Sequence, residues 1–277
     1  MNETNFPKVR EVICKSALSK CGLEEFSYSV NPYTGCAHGC VYCYARFMCK
    51  YGGHLNEPWG SFVDVKTNIA EVLRKDMQKN HPGRIFLSSV TDPYQPLEAK
   101  YLITQKTISA IRDYNYPLTV FTKSSLAKRD LKAISGIKNP EFWVSIVLLE
   151  ERERKIWEPF ASPIEERLRT LRVFSEAGVP SYAFLGPVLP EITTRKLPEI
   201  FSRFAEAGVK GATVDRLNIK CGNLQPILKT IREHYPQLLL KYRELFIYGK
   251  DKVYYKNLKP EIELTAKELG LSIEFCF

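Results

Sequence analysis

Three cysteines stand within eight residues, Cys36, Cys40 and Cys43, in the run from Asn31 to Tyr44 that reads NPYTGCAHGCVYCY. Thiolates at this spacing can hold three irons of a [4Fe–4S] cubane. The fourth iron then lacks a protein ligand, and an open coordination position separates a reactive metal site from a closed structural one. Two other readings compete on the residues alone. The spacing i, i+4, i+7 also lies on one face of a helix, where cysteine is a common small core residue. Zinc is the other, with His38 or Cys49 as fourth ligand, although neither gives a usual zinc-finger spacing. Gly35 and Gly39, with Pro32 upstream, interrupt a helix and let a backbone wrap closely around a bulky inorganic core. The remaining cysteines, Cys14, Cys21, Cys49, Cys221 and Cys276, repeat no ligand spacing, so no auxiliary cluster is expected.

Elements of a definite kind must carry such a loop. Strand-like runs occur at Arg84–Val90, Pro117–Thr122, Phe142–Leu148, Tyr182–Leu189 and Gly211–Leu217, several of them apolar enough for a buried parallel sheet. Helical patterns alternate with them at Thr67–Met77, Thr104–Tyr114, Leu126–Ile134, Pro163–Ala177, Leu197–Ala207 and Leu224–Tyr235. Gly136, Gly178 and Gly208 sit where helices should stop in a left-handed residue. With a further strand near Tyr28–Asn31, which leads into the cysteine loop, the pattern predicts six βα units. The expected architecture is α/β, a partial (β/α)6 TIM-like barrel with a parallel sheet. We expect an N-terminal extension over 1–25, the core over 26–247, and a C-terminal extension over 248–277 packed on it, ending in a helix (Leu258–Leu269) and a last strand (Leu271–Phe277). Active groups in such sheets cluster at the carboxyl ends of the strands, which directs attention to 31–44, 88–98, 122–125, 145–150, 186–190 and 215–220.

The 277 residues carry 40 Lys and Arg against 31 Asp and Glu, a net charge of +9, and are 44% hydrophobic, which excludes a disordered chain. No apolar run approaches the roughly 18 residues that span a bilayer. The N-terminus lacks a basic stretch followed by an apolar core, so the expectation is a cytoplasmic protein with no membrane partner. Residues 229–256 mix cations and aromatics. They could line a nucleic-acid strand or form a basic helix and loop covering the end of the sheet.

The three-cysteine loop, with an aromatic before its third cysteine, resembles the hallmark of the radical S-adenosylmethionine enzymes. Further blocks are similar to the spore photoproduct lyase-like branch, often labelled DNA repair photolyase-related: Leu87–Pro96 (LSSVTDPYQP), Phe121–Ser124, Val144–Ile146, Glu158-Pro159 and Arg167-Leu168. The resemblance implies a [4Fe–4S] cluster on Cys36, Cys40 and Cys43, with S-adenosylmethionine on the open iron. Reductive cleavage of S-adenosylmethionine then gives a 5′-deoxyadenosyl radical that abstracts hydrogen from a substrate. An external electron donor of flavodoxin or ferredoxin type is implied as a partner. By the same resemblance Tyr42 is the aromatic near the adenine, and Tyr44 is a tyrosine of the hydrogen-transfer chain. Thr91, Asp92, Lys123 and Ser145 fall at positions that bind the cofactor. One position departs from the pattern: where the spore enzyme has a hydrogen-donating cysteine, this chain has Ser89, and an O–H is a much poorer hydrogen-atom donor than a thiol. Action on a nucleic-acid lesion or modified base is the alternative, and a non-catalytic, metal-stabilised nucleic-acid-binding module is the reading from another class.

Overall fold

Alternate apolar residues bury one side of each strand under helices and leave the other side to a central space. The computed structural model, which describes residues 7–277, contains β1 (Lys8–Val12), β2 (Ser19–Lys20), β3 (Tyr28–Val30), β4 (Tyr33–Thr34), β5 (Phe62–Lys66), β6 (Ile85–Leu87), β7 (Leu118–Thr122), β8 (Glu141–Ser145), β9 (Ser181–Val188), β10 (Gly211–Arg216) and β11 (Ser272–Phe275). The main sheet has the order β11-β10-β9-β8-β7-β6-β3-β2 and does not close. Every neighbouring pair in it is parallel except β2 with β3. The six expected strands are β3 and β6 to β10, and β11 adds a seventh parallel strand on one edge.

Ile85, Leu87, Leu118, Val120, Phe142, Val144, Ala183, Leu185, Ala212 and Val214 form the buried outer face. On the inner face Phe86, Phe121 and Phe184 remain half-buried. Their rings meet edge to face, with centroids 5.9 and 4.9 Å apart, because the three strands hold them at neighbouring registers. Nearer the amino ends, Arg84 pairs with Glu141 at 3.2 Å and Trp143 stacks on Tyr182.

Gly178 and Gly208 end the helices Ile164–Glu176 and Leu197–Glu206 at φ +77° and +70°, as expected. Gly136 differs, with φ −82°. The helix before it is only Leu131–Ser135, preceded by a 3-10 segment Ser125–Asp130 where one continuous helix was expected. The chain leaves it by a tight turn, Ile137 N–H to Ile134 O, and the left-handed residue comes later, at Asn139. Sequence periodicity also misses the helix Glu151–Trp157 and the helix Leu239–Phe246.

A second sheet, β1-β5-β4, was not anticipated either. Its middle strand buries a charge, Asp64, which hides the alternation that marks a strand; Arg10 takes that carboxylate in two hydrogen bonds of 2.7 and 2.9 Å. This small sheet matters because β4 opens the cysteine loop. In the basic, aromatic C-terminal third, Tyr235, Tyr242 and Tyr255 are buried, and the last two donate to the carbonyls of Pro190 and Val188 beyond and at the end of β9. The segment therefore covers the end of the sheet. No helix among the described residues is long and apolar enough to cross a membrane.

Candidate active site

Between β4 and the 3-10 helix Tyr44–Lys50 the chain makes two successive turns, Gly39 N–H to Cys36 O and Cys43 N–H to Cys40 O. No helix spans Cys36 to Cys43, so their spacing is not a helix face. The turns need glycine. Gly35 has φ +83°, and a Cβ there would lie 2.5 Å from the Phe62 carbonyl. A Cβ on Gly60 would lie 2.8 Å from the Gly39 Cα, so two glycines cross in contact. Cys36 and Cys40 are buried, Cys43 is half-buried, and all three thiols are free. Burial pushes each of them up from the usual thiol range, with Lys123 pulling Cys40 and Cys43 back down. Among the described residues no group of three His, Cys, Asp or Glu side chains converges on one point as a single zinc ion requires. Two buried donors beside the loop, Trp59 Nε1 and Arg46 Nε, have no acceptor. Free buried thiols, a glycine cradle and unpartnered N–H groups fit a large anionic iron–sulfur core.

The strand ends close around this loop. Asp92 is buried, and its carboxylate accepts from the Thr122 hydroxyl (2.7 Å), Lys123 N–H (2.8 Å) and Tyr94 N–H (2.9 Å). Burial alone would raise this carboxyl, but His38, 3.4 Å away, and those donors hold it down to about 2. His38 thus faces Asp92, and the pair ties the cysteine loop to the ends of β6 and β7. Thr91 donates to the Gly35 carbonyl at 2.6 Å. Gln95, which sequence reasoning passed over inside a quoted block, accepts from Ala37 N–H at 2.8 Å and donates to the Thr91 hydroxyl.

Lys123 reaches over the Tyr42 ring, with Nζ 5.8 Å from its centroid. The Tyr42 hydroxyl donates to Glu158, and Glu158 pairs with Arg167, both 1% exposed. Burial opposes the Glu158 charge, and Arg167 with Lys123 restores it, leaving the carboxyl below its usual range. Arg167 also donates to the Ser145 carbonyl at 3.1 Å, while the Ser145 hydroxyl donates to Gly186 O. Glu158 and Arg167 were legible only as a block; their pairing needs the fold. Asn223 was not legible at all: it is buried and donates to Tyr42 O at 3.0 Å and Asn218 O at 2.9 Å.

Tyr44 stands apart. It is 48% exposed, on the side of the loop open to the sheet's inner face, and its hydroxyl donates to Ser89 O. The structure therefore brings Cys36, Cys40, Cys43, Tyr42, Thr91, Asp92 and Lys123 into one connected group. Ser145 joins it through Arg167, and Tyr44 borders it.

A family described as the radical SAM superfamily matches residues 30–204. An uncharacterised protein of Mycobacterium tuberculosis is 31% identical over 250 residues, covering 86% of this chain and 74% of its own. One from Methanocaldococcus jannaschii is 32% identical over 185 residues, 67% of this chain and 69% of its own. Among solved structures, a spore photoproduct lyase variant with bound AdoMet and dinucleoside spore photoproduct superposes with a TM-score of 0.62 at 17% identity, covering 87% of this chain and 80% of that one. Against another lyase structure the chain spans 66% of its length. At that identity the likeness is one of fold.

Proposed function

Because the chain belongs to the radical SAM superfamily, whose cofactors are a [4Fe–4S] cluster and S-adenosylmethionine, we propose that Cys36, Cys40 and Cys43 ligate three irons of that cluster and that the chain generates a substrate radical over the inner face of its sheet. The observation that carries this is the loop itself: three free thiols, largely withdrawn from water, on a glycine-crossed turn at the carboxyl ends of the parallel strands. When bound, the cluster supplies one electron to the sulfonium of S-adenosylmethionine, giving methionine and a 5′-deoxyadenosyl radical that takes a hydrogen atom from the substrate.

The chain's own residues bind and orient. Lys123 Nζ, beside Tyr42 and with no carboxylate within ion-pair distance among the described residues, takes the cofactor's carboxylate. The hydroxyls of Thr91 and Ser145 take its polar groups at the ends of neighbouring strands, and Asp92 holds the backbone of Lys123 where that contact requires it. Tyr42 walls the site against water and is itself fixed by Glu158. Tyr44, half exposed beside the loop, is the tyrosine of the hydrogen-transfer chain. An external flavodoxin- or ferredoxin-type protein supplies the electron.

A second reading places a nucleic-acid lesion or modified base on the inner face. What favours it is the row Phe86, Phe121 and Phe184, half-buried rings able to stack a base, on a chain of net charge +9. Anaerobic reconstitution tests the first reading. Wild type should bind about four irons per chain with broad brown absorption and, once reduced, form 5′-deoxyadenosine. Cys36→Ala, Cys40→Ala and Cys43→Ala should do neither, while Cys221→Ala should behave as wild type. Stoichiometric zinc instead of iron, or an intact cluster in Cys40→Ala, overturns it.

A further inference from the structure

The two unpartnered donors at the loop lie beside the same cysteine. Trp59 is 9% exposed and packs in one apolar patch with Cys36, Ala45 and Phe62, against which Cys43 and Cys49 rest. Phe62 fixes its plane edge-on, with centroids 6.1 Å apart. The indole Nε1–H is buried without a hydrogen-bond partner, inside the patch against which the Cys43 side chain rests. Arg46 lies three residues beyond Cys43. Its Nη2 donates to Val41 O at 3.0 Å, but its Nε is buried without an acceptor, and among the described residues no carboxylate lies within ion-pair distance of it. A withdrawn cation with no carboxylate and an indole N–H with no acceptor are each costly in isolation. A thiolate bearing cluster charge relieves both at once.

Resting on the ligand assignment above, we infer that Trp59 and Arg46 are positioning residues for the cluster: both donate N–H hydrogen bonds to the Cys43 sulfur and so favour the reduced cluster. Added electron density in an iron–sulfur cluster is shared with its sulfurs, so a donor aimed at a ligand sulfur stabilises the reduced state more than the oxidised one. A nearby positive charge acts in the same direction, and more strongly where water is excluded.

The test is the midpoint potential of the anaerobically reconstituted cluster, followed by its electron paramagnetic resonance signal against solution potential. Trp59→Phe keeps the ring and deletes the N–H. Arg46→Lys keeps the charge and deletes Nε, and Arg46→Gln deletes both. Each should retain iron yet hold a smaller reduced fraction at a fixed potential. We expect a roughly tenfold drop in the ratio of reduced to oxidised cluster for Trp59→Phe, or ~59 mV for a one-electron couple, and a larger drop for Arg46→Gln than for Arg46→Lys. Wild-type protein grown with nitrogen-15 indole supplies a measurement that needs no variant. Its reduced cluster should show a hyperfine coupling to one tryptophan nitrogen. Absence of that coupling, or unaltered potentials in Trp59→Phe and Arg46→Gln with iron retained, overturns the inference alone. A wild type that assembles no iron–sulfur cluster overturns the ligand assignment with it.

Discussion

Lys123 and Asp92 divide the work at one strand end. Asp92 uses both oxygens on neighbouring groups of the protein, whereas the Lys123 ammonium lies over the Tyr42 ring, and the proposed cofactor contact falls to it alone. Lys123→Ala should therefore weaken S-adenosylmethionine binding by roughly 1 to 3 kcal/mol, the usual loss for a charge-assisted hydrogen bond, without loss of iron, measured by calorimetry on reconstituted protein. Unaltered affinity would remove Lys123 from the site. Asp92 reports through stability instead. Its folded carboxyl is depressed to about 2, so its contribution is fully present above the unfolded value near 4 and is lost as pH falls from there toward 2. That difference amounts to about 2 kcal/mol. Asp92→Asn should flatten the acid limb of a urea-midpoint profile over that interval while changing its slope little near neutrality.

Among elements, the cysteine loop is held by a second loop that crosses it at Gly60, and the crossing is as tight as backbone allows. Gly60→Ala would bring a Cβ to 2.8 Å of the Gly39 Cα from a residue at φ +95°. It should cost about 2 to 4 kcal/mol, combining overpacking with left-handed strain, and should lower iron retention. Gly178→Ala, at φ +77° with open space around it, should cost only about 1 kcal/mol and leave iron binding intact. Thermal unfolding and iron content of the two variants give the comparison. The main strands were readable in the sequence because Ile85 to Leu87, Leu118 to Val120 and Ala183 to Leu185 bury one face in an unbroken series. The small sheet was not, since Asp64 and Arg10 put an ion pair where periodicity calls for apolar residues. The three thiols, Thr91 and Lys123 could be named from local motifs. Trp59, Gln95 and Asn223 could not, because each meets the cysteine loop only where the fold brings the two together, and no local motif marks Arg46.

For the molecule as a whole, the main sheet stays open with β2 and β11 at its edges, and Ser89, just beyond β6, accepts from the Tyr44 hydroxyl. A radical left on repaired thymine would find a hydroxyl, not a thiol, at position 89. The wild-type protein should therefore fail to convert spore photoproduct cleanly to two thymines, and product analysis by chromatography decides the point. Clean catalytic conversion would make Tyr44, or a cysteine brought in by the fold, the donor. Asn223 ties the far end of this architecture to the near one, through a hydrogen bond to the Tyr42 carbonyl that spans 181 residues of sequence. Asn223→Ala should lower stability by about 1 to 3 kcal/mol, the cost of leaving that buried carbonyl unpaired, and speed loss of iron to a chelator. The same bond sets an order of events during synthesis. A ribosome adding roughly 5 to 20 residues per second needs about 10 to 40 s to travel from Tyr42 to Asn223. Throughout that interval the three thiols lack their final restraint. On the proposed ligand assignment, a site with all its restraints exists only once the chain is more than four-fifths made, so iron supplied after synthesis should be retained longer than iron supplied to shorter nascent chains.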